Sequence, residues 1–122
     1  MAKTQKRIVT VGLATPDDLG QRLSRALAGA PAGAHISFPT LDLMWRVLGP
    51  KRLDILTVMA GQGPLAVREV ARRVDRDVKA VHADVKALLL ARIVRRGDDR
   101  KVEFPYDEIH IDVVIRPGAE AA

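Results

Sequence analysis

Val67-Arg68-Glu69-Val70-Ala71-Arg72-Arg73-Val74, then Asp77-Val78-Lys79-Ala80-Val81-His82-Ala83-Asp84-Val85-Lys86-Ala87-Leu88-Leu89, then Ile93-Val94-Arg95-Arg96-Gly97-Asp98-Asp99-Arg100-Lys101-Val102 are the runs that decide how this chain folds. In the first, Val67, Val70, Ala71 and Val74 recur at three and four residues. Val78, Val81, Val85, Leu88 and Leu89 do the same in the second, so each run carries one apolar stripe and predicts a helix. Only Asp75 and Arg76 separate the runs, and Asp77 is placed to cap the second helix, accepting orphan backbone N–H groups at the positive end of the dipole. So short a gap makes the helices cross steeply instead of lying antiparallel. The third run reads as a basic hairpin. Short helix, tight turn, longer helix and hairpin is the order of a winged helix-turn-helix, and the fold class expected is α+β.

At about 100 degrees per residue, Lys79, Ala80, Ala83 and Ala87 lie opposite the apolar stripe of the second helix, with Lys86 on one flank and Asp84 on the other. Small side chains let a helix axis approach a groove floor, and the lysines reach phosphates or guanine edges. Arg95, Arg96, Arg100 and Lys101 flank the turn Gly97-Asp98-Asp99, placing like charges across the strands unless an anion is near. DNA phosphate is such an anion. The candidate phosphate contacts are Arg68, Arg72, Arg73, Arg76, Arg95, Arg96, Arg100 and Lys101, and Lys79, Ala80, Ala83 and Lys86 face base edges. His82, at the border of the stripe, either touches a phosphate or buttresses the helix pair, and a histidine bonded to backbone is the plainer alternative. The plainer account of the rest is a solvated helix face and a surface hairpin neutralised by Asp98 and Asp99.

The placement of charge supports the first account. Of 20 Lys/Arg and 15 Asp/Glu, residues 1–65 hold eight and four (+4), residues 66–101 eleven and six (+5), and residues 102–122 one and five (−4). A basic face supplies the sequence-independent, salt-sensitive part of nucleic-acid affinity. At 122 residues, 48% of them apolar and 29% charged, the chain is of ordinary one-domain size and composition. With no cysteine, disulfides and thiolate metal sites are excluded, and a reducing compartment is consistent. No apolar run reaches the roughly 18 residues of a membrane span and the start lacks a hydrophobic signal core, so a cytoplasmic protein without membrane partners is expected.

Around this centre, β-branched residues predict a strand over 7–13, and Pro16 opens a helix to about Ala28 with Leu19, Leu23, Ala26 and Leu27 as its apolar stripe. A short strand over His35–Phe38, a helix over Leu41–Leu48 and another from Pro50, with Leu53, Leu56, Met59 and Ala60 inward, follow. Trp45, Met44 and Met59 read as core. Ile109, Ile111, Val113 and Ile115 alternate as in a strand, which would leave an open edge, as would the first strand. These two strands are expected to pair, within one chain or between two. Ile8, Val9, Thr10, Val11, Ile109, Ile111, Asp112 and Val113 are therefore the candidate partner-binding residues. The division expected is an N-terminal extension (1–40) with a possible dimerisation role, a DNA-binding domain (41–116) and a disordered tail (117–122).

Trp45-Arg46-Val47-Leu48 with Lys51-Arg52-Leu53-Asp54-Ile55-Leu56, then Val67-Arg68-Glu69-Val70-Ala71, Arg76-Asp77-Val78-Lys79, Val81-His82, Asp84-Val85-Lys86-Ala87-Leu88 and Pro105-Tyr106-Asp107-Glu108-Ile109 resemble small prokaryotic winged-helix proteins classed as MarR-like transcriptional regulators. The resemblance spans residues 38–113. It implies a DNA-binding regulator, often the antitoxin partner of a small neighbouring toxin, with Asp77 to Leu89 as recognition helix and Ile93 to Phe104 as wing.

Other chemistry finds little support. His35, His82 and His110 lie on different elements without a carboxylate at ligand spacing, so no metal is expected. Ser24 and Ser37 have no base or oxyanion signature, and no Gly-rich phosphate loop follows a strand, so neither an enzyme nor a cofactor is expected. Asp107, Glu108 and Asp112 suit a basic toxin or partner subunit, or form a solvated acidic strand. The reading is a homodimeric, sequence-specific repressor of its own promoter acting as an antitoxin, because one recognition helix reads only a half-site. The alternatives are a toxin-neutralising interaction module with secondary DNA binding, and a ligand-sensing MarR-like regulator with a closed pocket beside Trp45.

Overall fold

A computed structural model of the chain describes residues 6–14, 16–29 and 33–115, so the tail 117–122 lies outside it. The elements are β1 (Ile8–Leu13), α1 (Pro16–Leu27), β2 (Ala34–Phe38), α2 (Leu41–Val47), α3 (Pro50–Met59), α4 (Val67–Val74), α5 (Val78–Leu90), β3 (Arg95–Arg96), β4 (Val102–Glu103) and β5 (Glu108–Asp112). The architecture is α+β.

The helix boundaries follow from local chemistry. Thr40 Oγ1 accepts the Leu43 N–H at 3.1 Å to start α2, and Pro50 opens α3 behind Gly49. α4 ends where Asp75 enters the left-handed region at φ 55°, its N–H returned to the Ala71 and Arg72 carbonyls. Asp77 Oδ2 then accepts the Ala80 N–H at 3.3 Å, so a three-residue turn links α4 to α5. Val70, Ala71, Val81, Val85 and Leu88 are buried, as their spacing requires.

β1 is the central strand of a three-stranded parallel sheet, β2-β1-β5, with Val9 opposite Ala34 and Ile109, and Val11 opposite Ile36 and Ile111. The first and last strands thus pair within one chain. Val9 and Val11 are completely buried in their own subunit, and both edges of β1 are occupied. Val9 and Val11 are therefore not available to a partner, while Ile8 and Thr10 of the same strand are half-buried. Ile109 and Val113 pack against the core, leaving only Ile111 and Asp112 of that set exposed.

Strand alternation makes the sheet two-faced. Val9, Val11 and Phe38 join Met44, Leu48, Ile55, Leu56, Met59 and Phe104 in one core. Thr10, Gly12, His35, Ser37, His110 and Asp112 form the other face, where Gln21, Arg22 and Arg25 of α1 meet them across a cleft. The leucine stripe of α1 was expected to be buried, yet Leu19, Leu23 and Leu27 are 49%, 61% and 80% exposed. The cause is the polar face itself, which offers leucine side chains nothing apolar, so α1 turns its polar side inward.

Trp45 also departs from expectation, being 47% exposed. Leu41, Met44 and Leu48 are the inward positions here, and Trp45 lies off their line. As the single tryptophan, it is expected to show red-shifted emission and ready acrylamide quenching in the folded chain. Quenching that rises sharply only on denaturation would contradict this placement. Gly12 is required at its position, because a Cβ there would meet the Asp112 carbonyl oxygen at 2.9 Å. Gly12→Ala is expected to cost about 1 to 2 kcal/mol through the β1–β5 contact, read by urea denaturation.

The motif Pro105-Tyr106-Asp107-Glu108-Ile109 joins the two halves of the fold. The Arg7 N–H donates to Asp107 Oδ2 at 2.8 Å, the Asp107 N–H to the Arg7 carbonyl at 2.7 Å, and the Gly61 N–H to the Tyr106 carbonyl at 3.0 Å. The Tyr106 ring meets Phe104 edge-on, centroids 5.4 Å apart. Glu108 is bound by Lys6 at 2.7 Å and by His110 at 3.0 Å. Asp107 and Glu108 are thus engaged within the chain instead of being left open to a basic partner.

Candidate nucleic-acid interface

Burial of one side of α5 fixes what the other side presents. With Val81, Val85 and Leu88 in the core, Lys79, Ala80, Ala83 and Lys86 stand exposed on the outer face. Beside them the β3–β4 hairpin is held by antiparallel pairing and by a bridge from Leu65, whose N–H and carbonyl bond Val102 at 2.7 and 2.8 Å. Its tip is the turn Asp98–Arg100, with Asp99 and Arg100 at φ 60° and 63°, so the tightest bend falls two to three residues after Gly97.

Hairpin and helix together enclose a shallow cleft lined by Val67, His82, Val85, Lys86, Leu89 and Arg96. Two of the cations predicted from sequence, Lys86 and Arg96, are therefore neighbours across elements, with exposed His82 between helix and hairpin. Arg100 and Lys101 extend the exposed positive surface at the tip, and Arg68 is exposed on α4.

Other predicted cations are engaged by acids. Register places Arg95 opposite Glu103 and they pair at 3.0 Å, which corrects the expectation of like charges facing each other across the hairpin. Arg72 and Arg73 both bond Glu69, through Nε at 2.9 and 2.8 Å, and these bonds hold the Glu69 carboxyl down at about 2. The trio still carries one net positive charge.

Arg76 departs furthest from its expected role as a phosphate contact. Its Nη2 donates to Asp84 Oδ2 at 2.9 Å, while Arg52 Nε donates to Asp84 Oδ1 at 3.0 Å. Arg52 Nη1 also reaches the Arg46 and Val47 carbonyls at 3.1 and 3.2 Å, where α2 ends. The end of α2, helix α3, the α4–α5 turn and α5 are thereby tied to one carboxylate. Burial alone would push the Asp84 carboxyl up, but the two arginines outweigh it and hold it below the usual range. Sequence reasoning missed this clamp, although Asp84 is the sole acid within the basic helix Val78–Leu90.

Among the described residues, no group of three or more His, Cys, Asp or Glu side chains is placed to hold a metal ion, and no helix is long and apolar enough to cross a membrane. Among the described residues, clefts border α1, the sheet and the hairpin, and Trp45 lines none of these.

Two helices joined by a three-residue turn, a hairpin packed beside the second, and a small parallel sheet beneath define an α+β protein in which Lys79, Lys86, Arg96, Arg100 and Lys101 are exposed on α5 and the hairpin, while Lys6, Arg7, Arg25, Arg46, Lys51 and Arg68 are exposed elsewhere. The chain belongs to the HVO_A0114 family, whose model matches residues 47–111, just over half of its length. No curated protein and no solved structure matches the chain. The matched segment runs from the end of α2 to β5, leaving β1, α1 and β2 outside it.

Proposed function

We propose that this chain is a DNA-binding transcriptional regulator built on a winged helix-turn-helix of MarR-like kind, with α5 as recognition helix and the β3–β4 hairpin as wing. The observation that carries the reading is the cleft that sets Lys86 of α5 beside Arg96 of the hairpin, flanked by exposed Lys79, Ala80 and Ala83. A helix with alanines at its outer face enters a major groove closely, Lys79 and Lys86 reach base edges or phosphates, and Arg68, Arg96, Arg100 and Lys101 hold the backbone. It acts by occupancy and performs no catalysis. Two copies on a palindromic site supply the affinity that one half-site lacks, and control of its own promoter is the simplest circuit.

A second reading, neutralisation of a small toxin with DNA binding subordinate, draws on the exposed leucines of α1, which are suited to a protein partner. A salt titration of binding to promoter DNA separates the two. The regulator predicts log affinity falling linearly with log salt, by about 0.9 per phosphate neutralised, and a clear preference for one sequence. Sequence-blind, salt-insensitive micromolar binding favours the interaction module.

A further inference from the structure

We propose that the cleft between α1 and the polar face of the sheet binds a small molecule through an oxyanion group, phosphate or carboxylate. Register builds its floor. Thr10 lies between His35 and His110 across three strands, and Gly12 between Ser37 and Asp112. Having no side chain, Gly12 leaves open the space that α1 then roofs with Gln21, Arg22 and Arg25.

The charge balance favours an anion. Among the described residues, two guanidinium groups and His35 face a single carboxylate, Asp112, and Arg25 is in no ion pair. Asp112 is suited to accept a hydroxyl of the ligand. The position is the one where open parallel sheets hold ligands: the carboxyl end of a strand whose two neighbours are reached in opposite directions. From β1 the chain passes through α1 to β2 on one side and returns as β5 on the other.

Size limits the ligand. The half-open cleft offers about 30 Å³ of free room, too little for a whole metabolite, so only a small head group can enter it. An open groove sharing Thr10, Arg25, His35 and Asp112 continues past His110 and Ile111. A phosphorylated or carboxylated molecule would seat its head under α1 and lay its remainder along β5. Apart from His110 and Asp112 of β5, the floor and roof come from β1, α1 and β2, outside the family segment and on the sheet face turned from the core. The site is therefore separate from the α5 surface.

The test is thermal unfolding of the full chain with inorganic phosphate, with succinate, and with sodium chloride at matched ionic strength. One oxyanion is expected to raise the midpoint by about 5 °C at ten times its dissociation constant. The shift should vanish in Arg25→Gln and persist in Arg96→Gln, whose cation belongs to the other surface. Which probe acts identifies the head group. Independently of any variant, the same probe should move the Gly12 and Ser37 amide resonances and the His35 imidazole of the wild-type chain. No stabilisation by either probe, a shift unchanged in Arg25→Gln, or resonance changes confined to α5 and the hairpin would overturn the proposal.

Discussion

Replacing Lys79, Lys86, Arg96 and Lys101 together by Gln is expected to weaken binding to duplex DNA about a thousandfold at 0.1 M salt. Each phosphate contact contributes about 0.9 to the slope of log affinity against log salt, so four lost contacts remove about 3.6 from it. Arg72→Gln is expected to lose much less, under about tenfold, because its guanidinium is already shared with Glu69. Fluorescence anisotropy on a labelled duplex at several salt concentrations reads both. An equal logarithmic loss per charge removed in the two variants would show that the cations act only through total charge, with no defined surface.

The largest effect on stability is expected from Asp84→Ala. The Asp84, Arg52 and Arg76 side chains are only 17%, 26% and 21% exposed, so removing the carboxylate leaves two poorly solvated guanidinium groups facing each other. Arg76 Nη1 is already buried with no partner among the described residues, so its burden would grow. Breaking a fully buried pair costs about 3 to 5 kcal/mol, and the partial exposure reduces this to about 2 to 3 kcal/mol. Urea denaturation measures it. The same clamp predicts a direction with pH. The folded Asp84 carboxyl titrates below its unfolded value, so its contribution is present above the ordinary aspartate range and is lost as pH falls through the folded value. The stability gap between wild type and Asp84→Ala should therefore close in acid. A gap that widened there would mean that the arginines do not lower this carboxyl.

Legibility followed burial. α4 and α5 could be read nearly throughout because their stripes of Val and Leu meet a core, the exception being Val78, which begins α5 and is 44% exposed. The strand pairing of β1 with β5 was foreseen from the need to satisfy two open edges, whereas β2 gave no sign that it would take the other side of β1. The leucines of α1 misled because a 3.6-residue period shows that a helix has an apolar side but not which side faces the sheet. That choice was made by the polar alternation of Thr10, Gly12, His35 and Ser37 on other segments. Trp45 misled for a related reason, since its type suggests burial while its position on α2 places it outside the Leu41–Met44–Leu48 line.

At the site, residue type located the cations, but pairing decided which of them remain available. Arg95 and Arg96 are adjacent in sequence, yet register gives Glu103 to one and leaves the other beside Lys86. Arg76 and Lys79 are three apart, yet Asp84, eight residues beyond Arg76, draws only the arginine inward. Such choices depend on where a carboxylate sits after folding, and a one-dimensional charge count does not contain them.

Mapping backbone amide resonances of the full chain as duplex DNA is added tests the central claim most directly. The account predicts that the largest changes fall on residues 79–86 of α5 and on the hairpin around Arg96 to Lys101, with α1 and β2 unmoved. Changes concentrated on α1 and the sheet, with α5 silent, would contradict it.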